Sequence, residues 1–108
     1  MFGLIEVDPA LLAASAGVEN AGAASMAGSM GAAGPLVCSV LPPGADSVSA
    51  AAAAALNARG AATEAMMSQL TAMRALFGDT VAANGVSSAA VDTVGKAILS
   101  AGEAVESL

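Results

Sequence analysis

Large apolar residues recur at a helical spacing along the middle of the chain, over residues 46–84. Successive members lie three, four or seven positions apart, which is the pattern of one buried stripe on an α-helix. The stripe consists of Val48, Ala52, Leu56, Thr63, Met66, Leu70, Met73, Phe77 and Val81. Asp46 and Ser47 are suitable N-cap residues, and Asn84-Gly85 is a typical helix stop. The pattern predicts a helix of about 38 residues, roughly 57 Å long.

A sparser apolar pattern precedes this helix and predicts a first one. An apolar segment, residues 1–7, leads to Asp8-Pro9, an N-cap followed by proline at the first helical position. The apolar face is formed by Leu11, Leu12, Val18, Met26, Met30 and Ala33. Interior glycines (Gly17, Gly22, Gly28 and Gly31) cost roughly 2–4 kcal/mol together relative to alanine. We therefore expect this helix to form only when its small-residue side lies against another helix.

Two proline positions decide how the helices are joined. Gly34-Pro35 either ends the first helix or kinks it, with Leu36 and Val37 continuing. Pro42-Pro43-Gly44 is an unambiguous break. The sequence therefore predicts an all-α protein built on a long antiparallel two-helix hairpin.

A third, shorter helix is predicted after Gly85, with Ser87 or Ser88 as its cap. Its apolar stripe has a regular alternation of three and four positions and consists of Val91, Val94, Ile98, Ala101, Val105 and Leu108. Residues 1–85 would form the hairpin, and residues 86–108 a C-terminal amphipathic region.

Composition indicates that the hairpin needs a partner. Hydrophobic residues make up 56% of the 108 residues, but most are alanine and only two are aromatic. Alanine favours helix and buries little area, so a single-chain core would be thin. The formal net charge of −6 provides no basic surface for nucleic acid or for an anionic membrane. We expect another polypeptide to complete the structure.

The chain offers little chemistry. It has no histidine and one cysteine, which leaves the usual nucleophile–base pairs and transition-metal sites without their residues. The nine acidic residues are scattered, and no phosphate-binding or dinucleotide fingerprint is present. We predict a protein that is not an enzyme and binds no cofactor or metal. Cys38 cannot form an intramolecular disulfide and is interpreted as a small, half-buried residue, with a redox or intermolecular role as the alternative.

Neither a cleavable signal peptide nor a membrane span is predicted. Residues 1–8 lack a basic segment and contain Glu6 and Asp8. The uncharged stretch between Glu19 and Asp46 is rich in glycine and serine and contains three prolines, so we reject it as a transmembrane helix.

Arg59 and the methionines have more than one interpretation. Arg59 is the only charged residue in the central stripe. One interpretation is an ion pair, either across the hairpin or with a partner, and the other is that its side chain extends to the solvent at the edge of the interface. The methionines either fill gaps between helices or form an adaptable surface for a partner.

Residues 40–51, with the sequence VLPPGADSVSAA, resemble the turn LPxGADxVSAA of the mycobacterial PE family, which opens that family's second helix. The resemblance extends over roughly residues 2–92, and Pro9 stands where the family has its namesake proline. It implies a two-helix protein that pairs with a PPE-family protein in an elongated four-helix bundle. The pair would be exported by a type VII (ESX) secretion system. The chain resembles a stand-alone, divergent member of the family.

Several residues depart from the family pattern. Ala10 replaces the namesake glutamate, and Asn57, Thr63 and Met73 stand at places that usually carry aromatic residues. In the family's secretion motif, YxxxD/E, the tyrosine position corresponds to Ser88 and the acidic position to Asp92. The motif is therefore degenerate here, and recognition by the secretion machinery is either weakened or transferred to a partner.

The leading hypothesis is a non-catalytic binding subunit that pairs with a PPE-family protein and is secreted or displayed at the cell surface without a cleavable signal peptide. The expected partner interface comprises Leu12, Val18, Met26, Met30, Leu56, Met66, Leu70, Met73, Phe77 and Val81. The alternatives are a membrane-associated or channel-forming component of a PE/PPE oligomer and a homo-oligomeric helical bundle.

Overall fold

In a computed structural model, which describes residues 5–108, the chain forms two antiparallel helices packed side by side. α1 spans Pro9–Val37 and α2 spans Ser47–Glu106. The molecule is elongated, with principal dimensions of 94 × 25 × 19 Å. The predicted all-α hairpin is confirmed. Residues 1–4 of the predicted apolar lead-in lie outside the described residues.

Both predicted N-caps are present. The Asp8 carboxylate accepts hydrogen bonds from the backbone N–H groups of Ala10 and Leu11, at 2.9 and 3.2 Å. The Asp46 carboxylate accepts from the backbone N–H and the hydroxyl of Ser49, at 2.9 and 2.8 Å. Each cap satisfies donors that a helix start would leave without a partner.

Pro35 lies inside α1 and does not end it. α1 continues to Val37, and the backbone N–H of Cys38 donates to the Gly34 carbonyl. Because Pro35 falls in the last turn, few helical hydrogen bonds follow it, so the lost donor has little effect on the helix.

The prediction of a helix stop at Asn84-Gly85 and of a separate third helix is wrong. α2 runs without a break from Ser47 to Glu106, and no glycine among the described residues has a positive φ. Gly85 is buried against Leu12 and the Pro9 carbonyl at the start of α1. A glycine that packs against a neighbouring helix can stay helical, and no proline follows to break the helix.

α2 extends past the beginning of α1. Gly85 packs beside the first turn of α1, so the later residues of α2 have no second helix alongside. Val91, Val94, Ile98 and Val105 are accordingly exposed. Within residues 5–108, neither helix has a stretch apolar enough to cross a lipid bilayer.

Candidate partner-binding surface

The two helices meet mainly through small and polar side chains, together with a few half-buried larger apolar ones. On α2, the residues that face α1 follow a spacing of three and four positions, and we call them the contact row: Ala53, Asn57, Gly60, Glu64, Met67, Thr71, Arg74, Gly78, Val81 and Gly85. All of them are buried or half-buried. The buried apolar side chains of the described chain are three alanines, Ala16, Ala23 and Ala53, which are 3–5% exposed. The hairpin therefore contains almost no large hydrophobic core.

An ion pair crosses the middle of the hairpin. Nε of Arg74 donates to Oε2 of Glu19 at 2.8 Å, and both side chains are partly exposed. The Arg74 guanidinium lies directly against Gly22, where a β-carbon would collide with it. A second polar contact lies next to this pair: Nδ2 of Asn20, the residue after Glu19, donates to the Asp79 carboxylate at 3.4 Å. These polar contacts define the relative position of the two helices. They add little to the free energy of folding, because partly exposed ion pairs contribute about 1 kcal/mol or less.

Asn57 fixes the loop at the tip of the hairpin. Its side-chain oxygen accepts from the Val40 N–H at 2.7 Å, and its Nδ2 donates to the Val40 carbonyl at 3.0 Å. One side chain thus pairs both backbone groups of a loop residue, as a neighbouring strand would. Asn57 stands where the resemblance expects an aromatic residue, and here it has a structural role at the turn.

Cys38 and Glu64 form a second polar contact near the tip. The Cys38 thiol donates to Oε2 of Glu64 at 3.5 Å. Burial, the hydrogen bond to Glu64 and the nearby carboxylate charge all raise the pKa of the Cys38 thiol. The thiol is half-buried, as predicted, and this environment disfavours the reactive thiolate.

Most large apolar residues in the middle of α2 lie one position before the contact row. We call this second set the outer row: Leu56, Arg59, Thr63, Met66, Leu70, Met73 and Phe77. One position rotates a side chain by about 100° around the helix, so the outer row lies beside the contact row and not within it. Its five large apolar side chains are 52–65% exposed. The sequence predicted one buried stripe, and in the single chain these residues of the stripe are exposed.

The outer row continues onto α1 on the same side of the hairpin. A groove of about 420 Å³ between the helices is lined by Ser25, Ser29 and Ala33 of α1 together with Thr63 of α2. The groove on the opposite side is lined instead by residues that follow the contact positions by one, such as Ala27, Gly31 and Ala72. We call the first side the outer face. Exposed Leu11 and Val18 each precede an α1 residue that packs against α2, so they belong to it too.

The residues predicted for the partner interface therefore divide into two sets. Val18, Leu56, Met66, Leu70, Met73 and Phe77 are exposed on the outer face. Leu12, Met26, Met30 and Val81 are half-buried between the two helices. A partner bound to the outer face would contact the first set directly. It would contact the second set only through the parts of those side chains that are still exposed to solvent.

Sequence reasoning missed the roles of Asn57, Glu64 and Arg74. Each follows a residue of the predicted stripe by one position and has the same spacing of three and four. That parallel spacing was the available signal. The signal is weak, because polar residues are mostly exposed and seldom form the contacts between helices.

Ser88 and Asp92 lie one helical turn apart near the exposed end of α2. Together with Val91 and residues 5–7 they line an open cavity of about 500 Å³. Ser88 is half-buried and Asp92 is exposed. In residues 5–108, no group of acidic, cysteine or histidine side chains is arranged to hold a metal ion.

Comparison with known proteins gives one family. The family model described as the PE family matches residues 5–103, which is nearly the whole chain and includes all of α1 and all but the last turn of α2. No significant match is found among curated proteins or among solved structures.

Proposed function

Because the chain belongs to the PE family, we propose that it is a non-catalytic helical subunit that pairs with a PPE-family protein and is exported with it by a type VII (ESX) secretion system. Pairing takes place through the outer face, and two helices of the partner complete a four-helix bundle. The exported pair is secreted or displayed at the cell surface.

The contrast between the core and the outer face supports this proposal. Three alanines supply the buried apolar side chains of the described hairpin, whereas five large apolar side chains of the outer row are more than half exposed. Contiguous exposed apolar surface of this kind is typical of a protein interface. Covering these five side chains would contribute roughly 4–8 kcal/mol, at about 1.5–3 kcal/mol for each fully buried large side chain and with about half of each to be covered.

The spacing and size of the side chains on the outer face suit a helical partner. The outer row repeats every three or four residues along much of α2, so a helix laid beside it can fill the gaps between its side chains. The α1 part of the face contributes small residues, Ser25, Ser29 and Ala33, next to the large residues of α2. A partner helix can approach closely over α1 and place its own large side chains there.

The C-terminal part of α2 has a separate role in this proposal. Residues 86–108 form the secretion-signal region, with Ser88 and Asp92 at the two positions of the degenerate motif. Both side chains lie beyond the α1–α2 contact or at its end, where the secretion machinery has access to Asp92 while a partner occupies the outer face.

Co-expression tests the pairing. The chain is expressed alone and with a candidate PPE-family protein, and the products are compared by size-exclusion chromatography with mass measurement. We expect aggregation or partial folding alone and a soluble 1:1 complex together. A monomer that unfolds cooperatively and forms no complex would overturn the proposal.

Export is tested separately in the native host. The variant Asp92→Ala should pair as the wild type does but appear in the culture filtrate in a smaller amount. Unchanged export would remove Asp92 from the proposed signal without affecting the pairing result.

A further inference from the structure

Arg59 is the one charged residue of the outer row. It is exposed, and it forms no hydrogen bond or ion pair with any other residue in the described part of the chain. Leu56 and Thr63 lie one turn away on either side of it, and Met66 lies two turns away. Arg59 therefore interrupts the apolar surface and does not border it.

Among residues 5–108, no acidic side chain is paired with Arg59 or placed next to it. Glu64 is the closest acidic residue along α2, but it belongs to the contact row and its carboxylate accepts a hydrogen bond from Cys38. After Glu19, α1 contains no acidic residue, and Glu19 itself is paired with Arg74. A carboxylate that pairs with Arg59 would therefore come from another molecule.

A partner that covers Leu56 and Met66 must also cover the helix surface between them. The partner would then exclude water from the Arg59 guanidinium. Burying that charge without a hydrogen-bond acceptor raises the free energy of the complex. A carboxylate is the acceptor that matches the planar guanidinium, which can bind both of its oxygens.

We propose that the partner presents an aspartate or glutamate side chain to Arg59, and that this ion pair fixes the register in which the partner's helix lies along the outer face. The inference rests on the proposed function, since it specifies a contact within the same pairing. Because outer-row positions repeat every three or four residues, apolar contacts alone would permit a shift by one heptad. A single pair of opposite charges makes the shifted arrangement unfavourable.

The test uses the complex purified after co-expression with the PPE-family protein. Dissociation constants are measured for the wild type and for Arg59→Lys and Arg59→Met, with Lys96→Met as the control. Lys96 is also an exposed base on α2 but lies in the part that extends past α1. We expect Arg59→Met to weaken pairing at least about tenfold, Arg59→Lys to weaken it less, and Lys96→Met to leave it unchanged.

A double-mutant cycle then identifies the partner residue. Each aspartate and glutamate of the partner is changed to asparagine or glutamine, in combination with wild-type Arg59 and with Arg59→Met. One acidic position should weaken pairing strongly with wild-type Arg59 and little with Arg59→Met. Circular dichroism of each variant complex checks that helix content is retained.

The outcomes separate the two proposals. If the wild-type chain forms no complex, the proposed function fails and the inference fails with it. If the wild type pairs but Arg59→Met pairs as tightly or more tightly, Arg59 only extends to the rim, and the inference alone is overturned. The absence of any coupled acidic position would overturn it as well.

Discussion

Gly60 of α2 lies against the main-chain carbonyl oxygen of Val37, the last residue of α1, so closely that a β-carbon on residue 60 would collide with that oxygen. The contact brings the two backbones together just below the turn. Since a carbonyl of the main chain cannot rotate away as a side chain can, residue 60 has to be glycine for the helices to meet as they do.

Replacing Gly60 with alanine should therefore separate the helices near the tip. The expected loss is about 1–3 kcal/mol in the free energy of unfolding, even though alanine is the better helix former. Urea denaturation of the complex purified after co-expression, followed by circular dichroism, measures it. Gly95→Ala is the matched control, because nothing lies within 4 Å of a β-carbon there, and it should gain about 0.5–1 kcal/mol. Equal stabilisation by both substitutions would contradict the contact.

The sequence allowed the helices, their caps and their antiparallel arrangement to be predicted, because these depend on local chemistry. Asp8 and Asp46 bind the first N–H groups of their helices wherever the rest of the chain lies. The end of α2 was predicted wrongly at Gly85, because whether a glycine stops a helix depends on what packs against it. In this case α1 does.

The face by which the helices meet could not be predicted from hydrophobicity. Period analysis finds the large apolar residues and assumes that they face the chain's own core. Here the intrachain contact uses the residues one position later, such as Asn57 and Arg74, and leaves Leu70 and Met73 outside. If the chain forms half of a larger assembly, as proposed, its strongest apolar pattern is the surface for the partner.

The Asp46 cap should make the stability of α2 depend on pH in the acid range. Hydrogen bonds from the backbone N–H and hydroxyl of Ser49 lower the pKa of Asp46 in the folded state. A carboxyl whose folded pKa is lowered stabilises the fold fully above its unfolded pKa, which is about 3.9, and this stabilisation is lost as the pH falls through the folded value.

In the complex purified after co-expression, helix content and urea stability should therefore differ between wild type and Asp46→Ala at neutral pH and converge in acid below about pH 4. Asp46→Asn is the control, since asparagine caps a helix without a titrating charge and should give a smaller dependence on pH. A difference between wild type and Asp46→Ala that persists unchanged at the lowest pH would contradict a role for the carboxylate charge.

The environment of Cys38 predicts slow alkylation. Burial and Glu64 together raise the pKa of the thiol, so less thiolate is present at pH 8 than in an unfolded chain. Iodoacetamide should modify Cys38 in the co-expressed complex more slowly than in the same protein unfolded by urea. Glu64→Gln removes the carboxylate charge and should speed the reaction in the folded protein, while the rate in urea stays the same. If the alkylation rate is the same in folded and unfolded protein, or is not changed by Glu64→Gln, the contact with Glu64 does not control the reactivity of the thiol.

A single charge on the outer face should abolish pairing, whereas the same charge elsewhere on α2 should not. Leu70 is in the middle of the outer row, with Met66 and Met73 one turn away on either side. In Leu70→Asp, a bound partner would enclose a carboxylate whose nearest cation, Arg74 one turn later, is already paired with Glu19. Burying this extra charge costs several kcal/mol, so the 1:1 complex should disappear from size-exclusion chromatography. Val86 is the matched control, because it is also exposed but lies on the opposite side of the contact row. It follows the contact-row residue Gly85, whereas Leu70 precedes the contact-row residue Thr71. Val86→Asp should therefore pair like the wild type. Loss of pairing in both variants would point to general misfolding, and pairing by Leu70→Asp would show that the partner binds somewhere other than the outer face.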